Sequence, residues 1–369
     1  MTTAIADVAA KFTQARTALC NSLVERDDEI ELLMLSILTK EHVVFVSPPG
    51  LGKTMMATRF CDWLDAGHVF ETTLSKFSEP DELFGPMHLP AYKEGRYERS
   101  IAGYMPTARI AYIDEVFNGS SAILNTLLNL MNERKFKQGN EFIACPLDLM
   151  IGSSNQYPDA TTQAELNAMF DRFLFRKTVH PVMRGMSDLL YNDLTCELPH
   201  TLSSEELASA QAGVQSIFVN EATKEALGDV IYKCKKEGIF ASDRRLRQCV
   251  KAIKAHAYLN GNDETTTNDL AVLVDCMWVN VEQSKTVAKI VTEIAAPEDL
   301  LVKSLVLEAN EIVSSVRPSE LAEASGAIKK LGNIKSKLKK MEGTKATLAF
   351  ESVSNFQKEL RLSALEHED

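Results

Sequence analysis

The chain has 369 residues, enough for two or three domains and a sizeable buried core. Its apolar content is ordinary, no run approaches the roughly 20 apolar residues of a membrane helix, and a net charge of −11 gives no overall footprint for nucleic acid. Seven scattered cysteines without a Cys-x-x-Cys pair, and Asp7 and Lys11 interrupting the N-terminal apolar positions, argue against a zinc site and a signal peptide and for a cytoplasmic, reducing location.

In chain order, Ile5, Val8, Phe12, Ala15 and Leu19 recur at helical spacing, and Ile30 to Leu38 predicts a second, strongly apolar helix. Val43 to Val46 predicts a buried strand, followed by a Pro- and Gly-rich loop and a helix from Lys53. His68 to Leu74, Arg109 to Asp114, Leu149 to Ser153 and the weaker Phe173 to Val179 are four more strand candidates. Strands alternating with helical segments predict a parallel sheet covered on both faces. After Pro181 the character changes, and Ser203 to Lys236, Asp243 to Leu259 and Thr267 to Val281 all read as helical. No repeat of fixed period is visible. The sequon Asn118-Gly119-Ser120 is read as chance.

The loop carries the first chemistry. Ser47 to Thr54 reads SPPGLGKT, seven of eight positions of the phosphate-loop pattern, with serine replacing the first glycine. A helix N-terminus with unpaired N–H groups favours an anion, and Gly50 and Gly52 let the backbone approach it closely. The candidate nucleotide-binding residues are Pro49, Gly50, Leu51, Gly52, Lys53, Thr54 and Met55, with Lys53 as the point charge for the phosphates and the Thr54 hydroxyl as a Mg²⁺ ligand. The first position has mainly to end the strand, which a serine can do. The plain alternative, a Pro-Gly turn before a helix, accounts poorly for Gly-Lys-Thr directly after an apolar strand. Asp114 ends the strand in "RIAYIDEV", placed to join Thr54 at the metal, and Glu115 beside it can polarise an attacking water. The bland alternative for this pair is capping of the next helix.

With "LSKFSEPDELFGP", "EGRYERSIAGYMPTARIAYIDEV", "AILNTLLNLMNERKF", "GSSNQYP", "DRFLFR" and "SDRR", the chain resembles the MoxR family of AAA+ ATPases, and within it the RavA (regulatory ATPase variant A) type. The matching segments run in the family's order from about Glu25 to Arg247. The resemblance implies an α/β fold, an AAA+ αβα core with a five-stranded parallel sheet over 1–195, an all-helical lid over 196–282, and leaves a helical C-terminal region over 283–369. It further implies an insert at about Pro86 to Pro106 and a hairpin at about Glu133 to Pro146. ATP and Mg²⁺ are the implied cofactors. By the same resemblance Asn155 matches sensor 1, with a turn residue as the alternative. Arg172 matches the arginine finger that stabilises transition-state charge. Arg176 is its rival, and a surface ion pair is the alternative for either. Arg244 matches sensor 2, with Arg245 one position off, and Ser242 or Asp243 would cap that helix. Phe77, Phe84 and Tyr97 fall in a family motif and are read as packed residues.

RavA-like proteins carry a helical domain interrupted by a β-rich one after the lid; here the roughly ninety residues after the lid read as helices, which predicts no such β-rich insertion within them. There "IKKLGNIKSKLKKMEG" holds six lysines between Lys329 and Lys340, read as a solvated helix face, with nucleic acid or an acidic partner as the sharper reading. The family implies a ring, a homo-hexamer, with a von Willebrand A-domain partner and a chaperone-like role in complex maturation or metal-cofactor insertion. One alternative is a nucleic-acid motor related to the minichromosome-maintenance helicases, disfavoured by the acidic balance. A nucleotide-gated scaffold is the other. A GTP-driven restriction motor is disfavoured because Asn155 lies in "SNQYP" rather than Met-Asn-x-x-Asp-Arg.

Overall fold

The computed structural model describes residues 3–65, 67–158, 164–182, 189–190, 198, 201–295, 298–316, 321–341 and 344–365. Helices α1 (Thr3–Ser22) and α2 (Asp27–Thr39) precede strand β1 (His42–Val46), every residue of which is buried. The chain continues through α3 (Lys53–Trp63), β2 (Val69–Thr73), the short helices α4 (Pro80–Phe84) and α5 (Leu89–Lys93), and β3 (Ile110–Asp114). Helix α6 (Ser121–Glu133), the strands β4 (Lys135–Gln138) and β5 (Glu141–Ala144), β6 (Leu149–Ser154), α7 (Ala164–Arg172) and β7 (Phe173–Thr178) complete this layer.

Five strands form one parallel sheet in the order β2-β3-β6-β1-β7, while β4 and β5 pair antiparallel as a separate hairpin. The near-continuous apolar runs of β1 and β6 follow from burial on both faces, which a parallel sheet imposes. Register fixes which residues share an end. Val46 lies beside Ser154, and Thr73 beside Asp114, at the carboxyl ends of the strands. His42 lies beside Phe173 at the amino ends. In open α/β sheets ligands bind at the carboxyl ends.

Helices Ser204–Ser216, Glu221–Lys236, Asp243–Leu259 and Ser284–Ala295 follow. The sequence expects one helical stretch from Ser203 to Lys236, but the structure interrupts it. Phe218 bridges to Glu264, and the Asn220 side chain accepts the Thr223 N–H at 2.8 Å, capping a new helix. The helical reading of Thr267 to Val281 is met in part, since Thr267–Asp275 is a 3₁₀ rather than an α-helix and a second 3₁₀ turn begins at Val281. Its start is held by a capping box, in which Asp269 accepts from the Thr266 N–H, and Asp269 also pairs with His256.

One continuous hydrophobic core runs from Val8 to Ala295, and a second, from Val302 to Leu360, is built by helices Glu298–Ser315, Leu321–Leu338 and Thr344–Leu365. Among the described residues no strand follows Thr178. Five of the six lysines between Lys329 and Lys340 are exposed; Lys335 is half-buried, with its ammonium 5.1 Å from the Phe350 ring centre.

His256 ties three elements together, with Nδ1 2.7 Å from Asp269 and Nε2 3.4 Å from Glu31 of α2. Burial alone would lower its pKa, but the hydrogen bonds to Asp269 and Glu31 outweigh that and raise it to about 9. A raised folded-state pKa stabilises the fold fully below the unfolded value of about 6.5, and the contribution disappears as pH rises through 9. His256→Gln should therefore lower the melting temperature markedly at pH 6 and by much less at pH 10. Scanning calorimetry of both chains across that range checks it.

Candidate nucleotide site

Ser47 ends β1, is buried, and donates its N–H to the Ser154 carbonyl at 3.1 Å. Gly50 (φ 86°) and Gly52 (φ 76°) take left-handed backbone, which glycine adopts without the Cβ penalty. Gly52 caps α3, so the first N–H groups of that helix, from Lys53, Thr54 and Met55, have no partner inside it. These three residues and the two glycines form a concave rim of donors suited to phosphate oxygens.

The Lys53 side chain is withdrawn beneath this rim. Its Nζ donates to the Ser47 carbonyl (2.8 Å), Ser47 Oγ (3.1 Å), the Ser154 carbonyl (3.3 Å) and Asn155 Oδ1 (3.2 Å). Burial lowers its pKa, opposed by the Asp114 and Glu115 carboxylates. Ser47 thus ends the strand and also supplies two acceptors for the lysine.

The acidic pair sits opposite the loop. Asp114 closes β3 and accepts a hydrogen bond from Ser153 Oγ. Glu115 follows in left-handed backbone (φ 51°), an uncommon conformation for a non-glycine residue and one that concentrates at functional sites. It accepts from Asn155 Nδ2 and from Asn118 Nδ2, the latter at 3.4 Å. Asn155 therefore touches both Lys53 and Glu115. Four residues picked from the sequence, Lys53, Asp114, Glu115 and Asn155, are brought to one end of the sheet. Thr54 joins them through Tyr112, whose hydroxyl lies 3.0 Å from Thr54 Oγ1 and 2.9 Å from Ser153 Oγ. Tyr112 and Ser153 were not legible as site residues. The signal was the two-residue spacing of Tyr112 and Asp114, which puts both on one face of β3.

Arg172 and Arg244 lie elsewhere. Arg172 ends α7, directly before Phe173, which pairs with His42 at the start of β1. Since β1 spans five residues, this end lies about 16 Å from the phosphate loop. Arg244 donates to Asn132 Oδ1 at 2.6 Å, near the end of α6, and is exposed. Burial, then the nearby Arg244 charge, lowers the pKa of Arg172, opposed by Asp171. Its buried Nε has no hydrogen-bond partner among the described residues.

The rival arginines are placed differently. Arg176 is fully buried, donating to the carbonyls of Phe170, Phe173 and Trp278 and stacking 4.2 Å over the Phe170 ring. Arg245 is equally buried and bonds Asp171 and the carbonyls of Phe173, Leu174 and Cys276. Neither can reach outside the chain. Ser242 Oγ, not Asp243, caps the helix, accepting from the Arg245 N–H at 3.2 Å. The expectation that Phe77 and Tyr97 pack inside is corrected, as they are 91% and 63% exposed, while Phe84 is buried. Tyr97 instead stacks edge-on against Tyr92, and Phe77 projects from the turn before α4.

A family model described as the MoxR domain in the MoxR-vWA-beta-propeller ternary systems matches residues 10–215, more than half of the chain. The chain belongs to the MoxR family of AAA+ ATPases. An AAA lid domain model matches residues 223–291. An uncharacterised protein of Methanocaldococcus jannaschii is 34% identical over 340 residues, 91% of this chain and 86% of that protein. Chaperone MoxR1 of Mycobacterium tuberculosis is 21% identical over 268 residues, covering 68% of this chain and 70% of its own. The crystal structure of a putative ATPase from Cytophaga hutchinsonii superimposes with TM-score 0.64 at 17% identity, over 80% of this chain and 96% of that one, a likeness of fold.

Proposed function

We propose that this MoxR-family protein hydrolyses ATP at sites shared between neighbouring subunits of a homo-hexameric ring and uses the cycle to remodel a client complex. The observation that supports this reading is the placement of the proposed catalytic residues: Lys53, Asp114, Glu115 and Asn155 lie at the carboxyl ends of the strands, Arg172 and Arg244 at the amino ends. One chain cannot bring them together across the sheet. A neighbour in a ring can.

The residues divide the chemistry plainly. The loop N–H groups and Lys53 receive the phosphates. When phosphate binds, Lys53 and the Asn155 amide N–H donate to its oxygens instead, which frees Glu115 to accept the proton of the attacking water. Arg172 and Arg244 of the adjacent subunit meet the charge that develops on the transferred group. Thr54 and Asp114 are hard oxygen donors suited to Mg²⁺, which when bound neutralises phosphate charge.

A von Willebrand A-domain partner is proposed because the matching family model is defined by systems containing one. A chaperone role in complex maturation or metal-cofactor insertion, in the cytoplasm, follows the mycobacterial relative's name and the family. The RavA likeness rests on the sequence segments alone, and the C-terminal bundle adds nothing to it. The helicase alternative would need a basic groove, whereas five of the six lysines of the last bundle's run are exposed and the sixth packs on Phe350. Phosphate-release assays decide between partners: the rate should rise with a von Willebrand A protein encoded nearby and stay level with single-stranded DNA. Several-fold, steeply salt-dependent stimulation by DNA would reverse that order.

A further inference from the structure

Three hydroxyls connect the two candidate metal ligands. Thr54 Oγ1 lies 3.0 Å from the Tyr112 hydroxyl, which lies 2.9 Å from Ser153 Oγ, which donates to Asp114 Oδ1. Tyr112 is 3% exposed and Ser153 is fully buried, so the link between them is shielded from water, while Thr54 at the open end of the chain is exposed.

Counting protons fixes the direction of the chain. Three contacts are served by three hydroxyl protons, because an ionised carboxylate offers only lone pairs. Ser153 must give its proton to Asp114. Tyr112 must then donate to Ser153, and Thr54 must donate to Tyr112. Every proton points toward the aspartate, and the Thr54 hydroxyl is left with its lone pairs turned away from Tyr112, toward the open rim. We infer that Tyr112 and Ser153 are positioning residues that lock the Thr54 hydroxyl as an oxygen donor and couple its orientation to Asp114. Without Tyr112 the hydroxyl would be free to rotate and to present its proton, which repels a cation.

The inference rests on the proposed ATP site and predicts an effect on metal dependence, not on nucleotide affinity as such. The experiment measures equilibrium binding of ATP to the full chain by calorimetry, once with Mg²⁺ and once with EDTA, for the wild type, Tyr112→Phe, Ser153→Ala and Thr54→Ala. The ratio of the two affinities is the readout, since a general loss of structure would lower both. Tyr112→Phe and Ser153→Ala should each reduce the Mg²⁺ enhancement by about 3- to 10-fold, the span of one hydrogen bond, and leave binding in EDTA as in the wild type. Adding Tyr112→Phe to Thr54→Ala should cost nothing further, as expected when both act through one hydroxyl. Normal ATP binding with an unaltered Mg²⁺ enhancement in Tyr112→Phe, or in Ser153→Ala should the first variant not fold, overturns the inference alone. A wild type that binds no ATP overturns the site reading and this inference together.

Discussion

Lys53→Ala should weaken ATP binding by about 10-fold to more than 100-fold, while Glu115→Gln should keep binding and lose most of the turnover. The two residues act at different stages. The Lys53 ammonium is already poised beneath the loop, hydrogen-bonded to Ser47, Ser154 and Asn155, and needs only to exchange these neutral oxygens for phosphate. Its burial among backbone and side-chain oxygens means that a phosphate gains a charge-assisted partner already largely stripped of water. Losing such a contact costs about 1.5–3 kcal/mol, a factor of 10 to more than 100 in affinity. Glu115 instead is the proposed base for the attacking water, and a glutamine there keeps the Asn155 contact through its carbonyl while losing the ability to take a proton. General-base catalysis contributes about 10²–10⁴ in rate, so hydrolysis should fall by that factor with affinity retained. Calorimetric titration with ATP and single-turnover phosphate release separate the two effects. Equal affinity in the wild type and Lys53→Ala would sink the phosphate-loop assignment.

The sequence carried most of the nucleotide end of the molecule because its signals are local. Gly50, Gly52 and Lys53 lie within four residues, and Asp114 closes a strand of five with Glu115 directly after it, so local spacing marks them as candidates. All five sheet strands were legible as short apolar runs for the same reason. Long-range contacts were not. That Arg176 and Arg245 are held inside by carbonyls of Phe170, Leu174 and Cys276, leaving Arg172 and Arg244 at the surface, depends on residues up to about a hundred positions away. Neighbouring arginines in "DRFLFR" and "SDRR" look alike until burial separates them. The break after Ser216 was hidden because Ile217 continues the apolar pattern, and only the pairing of Phe218 with Glu264 forces the chain out of the helix. The exposed rings of Phe77 and Tyr97 run against the ordinary preference of aromatics for the interior.

Arg172→Ala should leave ATP binding intact and reduce hydrolysis by about 10³–10⁵, the contribution of an arginine finger in phosphoryl transfer. Its position makes the effect a property of the assembly. Arg172 sits beside the amino end of β1, one strand length from its own Lys53, and its buried Nε carries no partner among the described residues. Removing it therefore breaks no internal hydrogen bond at that nitrogen, and the fold should persist. Arg176→Ala is the contrasting control: it strips three backbone carbonyls and two aromatic faces of their partner, so its loss should appear as a lower melting temperature. If Arg172 serves a neighbour's site, specific activity should rise with protein concentration as rings assemble. Mixing then decides the matter. Inactive Arg172→Ala subunits keep Glu115, and inactive Glu115→Gln subunits keep Arg172, so a mixed ring contains some interfaces where both are intact. Recovered hydrolysis in the mixture is the expected result. No recovery, with subunit exchange confirmed by fluorescence energy transfer, would mean that Arg172 acts within its own chain or supports only structure, and Arg244 would become the residue to test at the same interface.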